Sequence, residues 1–214
     1  MTMSKTYMSE LKYKIIASSS AGNSVVVNDM LFDIGLPYGK IKPYLEGINY
    51  IFITHRHTDH YKSTTAKYIK RNYPDIKWIG NWDIARLINL DHIVGDSTKI
   101  RLDDRTIESF ACIHDVPTTG YVVSWNKKKL IYATDTASLK NAPKCKYDYF
   151  FIESNHDEKK INAMISKGKS IYGYDVFGNA KRHLSTQQSR TFYLLNRKSR
   201  ASLWVELHKS SRFY

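Results

Sequence analysis

The stretch Tyr50-Ile51-Phe52-Ile53-Thr54-His55-Arg56-His57-Thr58-Asp59-His60 carries four candidate metal ligands within six residues. Imidazole nitrogen and carboxylate oxygen together suit zinc, and also manganese or iron. Three of the chain's eight histidines fall in this loop, which makes a merely polar, histidine-rich turn the weaker reading. The apolar run Tyr50 to Ile53 reads as a buried strand. If the backbone stays extended beyond it, side chains alternate in direction. His55, His57 and Asp59 then share one side, and His60 comes from a turned backbone. Three ligands on one side and a fourth displaced suit two metals better than one.

Four more polar residues each follow an apolar strand, where a rigid element can aim them into a common cleft. They are His114 after Phe110-Ala111-Cys112-Ile113, Asp135 after Ile131-Tyr132-Ala133-Thr134, Glu153 after Tyr149-Phe150-Phe151-Ile152, and His208 after Trp204-Val205-Glu206-Leu207. One such histidine alone is more often a hydrogen-bonded surface residue. Four repeats of the pattern beside a four-ligand loop point to a shared site.

The elements that must position these residues are read as follows. Tyr13 to Ala17 is a strand, and Ser18 to Ser24 a turn-rich loop. Val25 to Val27 and Met30 to Phe32 form a hairpin closed by Asp33-Ile34-Gly35. Pro37 to Leu45 is a short helix with Pro near its start, and Thr64 to Asn72 is a helix stopped before Pro74. Ile76 to Ile79 is a strand, followed by a helix over Trp82 to Ile88. His92 sits in a polar segment with no assigned role. Strands at 99–102, 106–113, 120–125, 129–133 and 149–152 follow. Glu158 to Lys167 is helical. Ser185 to Asn196 is a helix with a capping box, Ser185 and Gln188, and Leu203 to Leu207 is the last strand. This order predicts two β-sheets with helices on the outer faces. Residues 1–12 are expected to be a flexible lead-in and 13–214 a single domain.

At 214 residues the chain is long enough for a sizeable core, with 42% hydrophobic and 25% charged residues. No apolar run approaches the roughly 18 residues of a membrane span, and Met1 to Lys14 lacks the apolar region of a secretory leader. Membrane partners are therefore not expected. With two cysteines, Cys112 and Cys145, there is no disulfide framework, and the cytoplasm of a bacterial or phage-infected cell is the expected compartment. The formal net charge is +13, which favours anionic partners, nucleic acid or nucleotide first. Between Lys181 and Arg212 stand eight Lys or Arg and a single acid, Glu206. The oligomeric state is open between a monomer and a homodimer.

The run His-x-His-x-Asp-His at 55–60 resembles the signature of the metallo-β-lactamase superfamily. That resemblance implies an α/β fold, a four-layer αβ/βα sandwich of two mixed β-sheets flanked by helices, with metals at one edge of the sheets. It also implies two divalent ions, zinc or manganese. His55, His57, His114 and Asp135 would take one ion. Asp59, His60, Asp135 and His208 would take the other, with Asp135 bridging. Leu203 to Tyr214, Glu153 and His183 in Arg-His-Leu-Ser-Thr resemble motifs of the tRNase Z type, in which the glutamate and histidine act as a proton-donating unit. Ala17 to Ser24, Glu153-Ser154-Asn155-His156-Asp157 and His183-Leu184-Ser185 resemble the WalJ/YycJ-like branch, linked to DNA exonuclease activity. The chain departs from the tRNase Z pattern in two ways. Arg182 stands where Gly is expected, and no segment is long enough for the arm that grips tRNA.

The function this implies is hydrolysis of phosphodiester bonds, most directly as a nuclease. Two divalent ions can share a hydroxide and neutralise a phosphodiester oxygen. Asp59 is also a candidate to orient the nucleophile, and Glu153 with His183 to protonate the leaving group; the alternative for that pair is a structural hydrogen bond. Asn155 and His156 either touch the phosphate or cap the following helix. Arg182 either clamps a phosphate or faces solvent. The competing functions are a cyclic nucleotide phosphodiesterase of the phage counter-defence type, a lactone or thioester hydrolase, and a metal-free binding module.

Overall fold

A computed structural model of the chain describes residues 11–102, 104–166, 178, 182–210 and 213–214. Most of the expected lead-in, and Ser211 and Arg212 of the closing motif, lie outside the described residues. Strands β1 (Tyr13–Ser19), β2 (Gly22–Val27), β3 (Met30–Phe32), β4 (Tyr50–Phe52), β5 (Lys77–Asn81) and β6 (His92–Val94) form one sheet in that order. Strands β7 (Lys99–Arg101), β8 (Thr106–Cys112), β9 (Thr118–Trp125), β10 (Lys128–Ala133), β11 (Tyr149–Glu153) and β12 (Leu203–Leu207) form the other, in the order β12-β11-β10-β9-β8-β7. Both are mixed. The pairs β3/β4, β4/β5, β5/β6, β10/β11 and β11/β12 are parallel and the rest antiparallel.

The period-2 alternation of strands sorts the apolar residues into layers. Met30 and Phe32 face a core shared with Tyr132 and Phe151 of the other sheet, while Leu31 between them faces outward. That outer face is covered by α1 (Tyr38–Ile41), α2 (Ser63–Asn72) and α3 (Trp82–Ala85), which contribute Ile41, Ile69 and Ile84. The second sheet's outer face carries Ile131, Phe150 and Ile152. The helix Thr186–Asn196, here α5, packs Phe192 and Tyr193 onto it; α4 (Glu158–Ser166) precedes it. Helix, sheet, sheet and helix are the four expected layers. No helix among the described residues is long and apolar enough to cross a membrane.

Local outcomes differ from the sequence reading at four places. The expected 37–45 helix is α1 followed by a 3-10 turn, Lys42–Tyr44, because Pro43 has no N–H to extend the α ladder. The 82–88 helix regularly spans only Trp82–Ala85. The expected 18–24 loop is mostly strand, since the buried Asn23 and Ser24 bond Ser19 O and Asp33 O instead of water. His92 begins β6, which pairs Ile79 to Asn81. The Ser185–Gln188 capping box is present at α5.

Aromatic packing joins the sheets immediately beneath one edge. Phe32 stacks on Phe52 at 4.8 Å and on Tyr132 of the opposite sheet at 4.2 Å. Such pairs contribute about 0.5–1.5 kcal/mol each beyond their burial. The Tyr121 hydroxyl donates to Ile53 O at 2.7 Å, and Thr119 N–H donates to Thr54 O at 3.0 Å. These bonds fix the C-terminal ends of β3 and β4 relative to those of β8, β10, β11 and β12.

Candidate metal centre

All of the strand-end residues singled out above converge on this edge. Asp135 lies at the middle, 3% exposed. Its Oδ2 is 3.4 Å from His55 Nε2, 3.1 Å from His60 Nε2 and 3.8 Å from His114 Nε2. Its Oδ1 is 2.5 Å from His208 Nδ1 and 3.8 Å from His183 Nδ1. Side-chain donor atoms fall into three groups, each within 4.8 Å: His55, His57, His114 and Asp135; Asp59, His60, Asp135 and His208; and Asp135, Glu153, His183 and His208.

Backbone geometry at the strand ends is what turns these side chains inward. Asp33, Asp135 and His208 each directly follow or closely follow a strand and adopt positive φ, 61°, 51° and 53°. For residues with a Cβ this conformation costs about 1–2 kcal/mol each, and strain of this kind gathers at functional sites. The ligand loop differs from the extended reading. His60 N–H and Tyr61 N–H both donate to His57 O, at 2.8 and 2.7 Å, closing a turn that carries Asp59 round to join His60. His55 and His57 therefore face His114, while Asp59 parts from them. Gly35 makes this turn feasible, because a Cβ there would lie 1.6 Å from Asp59 O.

A second layer of side chains, not marked by the sequence reading, holds the donors. Asp33, fully buried, accepts from Thr54 N–H at 2.8 Å and from His60 Nδ1 at 2.8 Å. With the ring proton on Nδ1, His60 presents a lone pair at Nε2, where the Asn23 amide donates at 2.8 Å. Thr54 Oγ1 sits 3.0 Å from His55 Nδ1. Asn81 donates to Thr54 O and Pro117 O, tying the loop before His55 to the loop after His114. Ser18 Oγ accepts from His208 N–H at 2.7 Å. Asp33 had a legible signal, since it ends an apolar strand as Asp135 and Glu153 do. Ser18 and Asn23 lie within the 17–24 run whose composition reads as a loop.

The electrostatics favour a cation at the centre. Burial opposes charge on His60, but Asp135 and Asp33 outweigh it and hold its pKa well above the ordinary imidazole value. The same contest pushes His208 up to about 10, through Asp135 and Glu153. Burial raises the Asp135 carboxyl, yet His60 and His208 hold it well below the ordinary carboxylate range. By contrast, burial and then His60 hold His55 well below the ordinary value, leaving it a neutral ring. Metal binding replaces such protons. The donor set fits a metal: His55 Nε2, the atom facing Asp135 Oδ2, is buried without any hydrogen-bond partner, and a buried polar atom of this kind calls for an explanation such as an ion.

Glu153, fully buried, lies beside this cluster. It accepts from Thr136 N–H at 2.9 Å and Leu184 N–H at 3.2 Å, and its Oε1 is 2.6 Å from His183 Nδ1 and 3.0 Å from His208 Nδ1. Burial works against the His183 cation, but Glu153 and Asp135 raise its pKa overall. Of the three residues considered for substrate contact, Arg182 is exposed, its Nη1 3.8 Å from Asp115 Oδ2. The Asn155 amide holds His208 O at 2.8 Å, and His156 is buried with Nδ1 unpartnered. The cap of α4 is neither of them: Asp157 Oδ1 accepts from Lys159 N–H and Lys160 N–H.

No family model matches the sequence, and no curated protein matches it. Solved structures do. Human tRNase Z, short form (ELAC1), is 17% identical with a TM-score of 0.62, over 94% of this chain and 93% of that one. The metallo-β-lactamase fold protein YhfI from Bacillus subtilis is 14% identical with a TM-score of 0.66, over 94% and 87%. A diphosphatase from the PhnP family is 14% identical with a TM-score of 0.62, over 95% and 88%. With two mixed sheets, flanking helices and these structural neighbours, the chain has the metallo-β-lactamase fold.

Proposed function

We propose that the chain is a metal-dependent phosphodiesterase of the cytoplasm that cleaves nucleic acid as a nuclease. The observation that carries this reading is the Glu153–His183 pair, 2.6 Å apart, abutting Asp135 inside a ring of metal-donor side chains. Ligand clusters alone also suit a lactone or thioester hydrolase. A charged imidazole poised to give up a proton suits an alkoxide leaving group, and the +13 net charge suits a phosphate-rich substrate.

In this reading His55, His57, His114 and Asp135 hold one divalent ion, and Asp59, His60, Asp135 and His208 hold a second, zinc or manganese. Bound there, the ions supply Lewis acidity and a lowered water pKa. Asp59 is partly exposed, its side chain at 22%, and orients the attacking water with a carboxylate oxygen. His183 holds its Nδ1 proton against Glu153 and turns Nε2 to the leaving oxygen, to which it delivers a proton. Glu153 also steadies His208 through Nδ1, which is the outer-shell role that raises ligand basicity.

The test is a hydrolysis panel with zinc or manganese: single-stranded DNA, duplex DNA, RNA and 3′,5′-cyclic nucleotides, with Asp135→Ala as the control. Hydrolysis of polynucleotide that Asp135→Ala loses is the expected result. Turnover of cyclic nucleotides alone moves the reading to a small-nucleotide phosphodiesterase. No turnover of any member by metal-loaded protein overturns it.

A further inference from the structure

Beside the ligand loop stands a surface that the metal centre does not use. Trp82 opens α3 directly after Asn81, whose amide is bonded to both ligand-bearing loops, so the indole stands at the metal edge of the sheet. Trp82 is 53% exposed, an unusual placement for the largest apolar side chain, and no aromatic ring packs against it among the described residues. Leu87, also exposed, lies beyond the end of α3 at Ala85.

The next residue, Asp83, is buried, and its Oδ2 has no hydrogen-bond donor. Among the described residues its one cationic partner is Arg56, whose Nε lies 3.2 Å away. Arg56 sits between the ligands His55 and His57 with its side chain 52% exposed. A buried carboxylate is thus ion-paired with the Nε side of the guanidinium, and the Arg56 side chain, half exposed, has no other acidic partner among the described residues. A guanidinium ion-paired on one side and half exposed to solvent retains N–H donors that suit a phosphate. The exposed indole of Trp82, one residue before the Asp83 that pairs with Arg56, offers a face on which any nucleobase can stack.

We propose that Trp82 and Arg56 form a nucleotide-binding lip of the metal centre. The base stacks on Trp82, and the phosphate next to the reacting one is held by the Nη groups of Arg56, with Asp83 as the positioning residue behind it. This rests on the phosphodiesterase reading and sharpens it to nucleotide substrates recognised without base identity, since stacking and phosphate contact are both indifferent to sequence.

The test is equilibrium binding of two ligands, deoxyadenosine monophosphate and deoxyribose 5-phosphate, which differ only in the base. Wild type is expected to bind the nucleotide more tightly. Trp82→Ala and Trp82→Leu each lose affinity for the nucleotide by about 5- to 150-fold and leave the sugar phosphate unchanged, whereas Trp82→Phe keeps the preference. Arg56→Ala weakens both ligands in equal proportion, and Arg56→Lys restores part of the loss. An unchanged base preference in Trp82→Leu, or an unaffected phosphate affinity in Arg56→Ala, overturns the lip. Because binding is measured without turnover, a failed hydrolysis panel beside a normal binding pattern would reject the nuclease reading alone.

Discussion

Replacing Asp33 by asparagine tests whether one proton on His60 governs the whole centre. Asp33 Oδ1 accepts from Thr54 N–H at 2.8 Å, and Oδ2 lies 2.8 Å from His60 Nδ1. Asparagine fits the same space and tolerates the left-handed φ of 61° at this position. The Thr54 N–H forces the amide oxygen to its own side, so the NH2 must face His60. An NH2 group only donates. His60 Nδ1 must then accept, and the ring proton moves to Nε2, the atom 3.1 Å from Asp135. A protonated Nε2 cannot bind a metal. Loss of an outer partner of this kind costs about 10- to 100-fold in metal affinity, or ~1.4–2.7 kcal/mol. Folding stability should fall by less than about 2 kcal/mol, because only one hydrogen bond is inverted and a buried carboxylate is removed. Asp33→Ala is the contrasting variant. It removes the acceptor of Thr54 N–H and the partner of His60 Nδ1 at 2.8 Å, at about 1–3 kcal/mol each, while the Thr54 hydroxyl keeps His55 Nδ1 at 3.0 Å. Competition against a chromophoric chelator gives the zinc affinity, and thermal unfolding followed by circular dichroism gives the stability. If Asp33→Asn binds zinc as tightly as wild type, the tautomer argument is wrong, and so is the assignment of His60 Nε2 as a ligand.

Further outcomes follow from the same geometry. His183→Ala should slow hydrolysis of esters with alkoxide leaving groups by about 10²–10⁴-fold yet spare an activated aryl phosphodiester, whose phenolate needs no proton; equal losses on both would remove His183 as general acid. Gly35→Ala places a Cβ against Asp59 O and so must displace the ligand turn; a loss of about 1–3 kcal/mol in stability, together with weakened metal binding, is expected in titration and melting experiments. A variant that does neither would show that the turn is pliable. Burial pushes the Asp91 carboxyl up, but Trp78 N–H at 2.9 Å and the ammonium groups of Lys70 and Lys77 outweigh it, so its pKa lies below the ordinary 3.8. A depressed carboxylate contributes stability above its unfolded pKa and loses it as pH falls through the folded value. Asp91→Asn should accordingly be less stable at neutral pH by up to about 1 kcal/mol, with the gap closing below pH 3.8; a gap that persists in acid, read from urea midpoints, contradicts this.

Much of this molecule is legible in its sequence because the signals are local. Apolar runs of four or five residues ending in His, Asp or Glu set out β4, β8, β10, β11 and β12 and the residues that leave their ends, and alternation within the runs assigns each side chain to the inner or outer layer. The capping box of α5 is likewise a matter of residues three apart. What the sequence could not decide depends on atoms far apart along the chain. The direction of Asp59 rests on a turn closed by two bonds to His57 O and on Gly35, more than twenty residues earlier. Asp33 matters because parallel pairing of β3 with β4 sets its carboxylate against His60, and Ser18 because the first hairpin reaches the end of the last strand. Trp82 looks like an ordinary helix residue until the tether of Asn81 to both ligand loops places it at their edge. A residue's type reports which bonds it can make, but only the packed sheets determine which partners lie within about 3 Å of it.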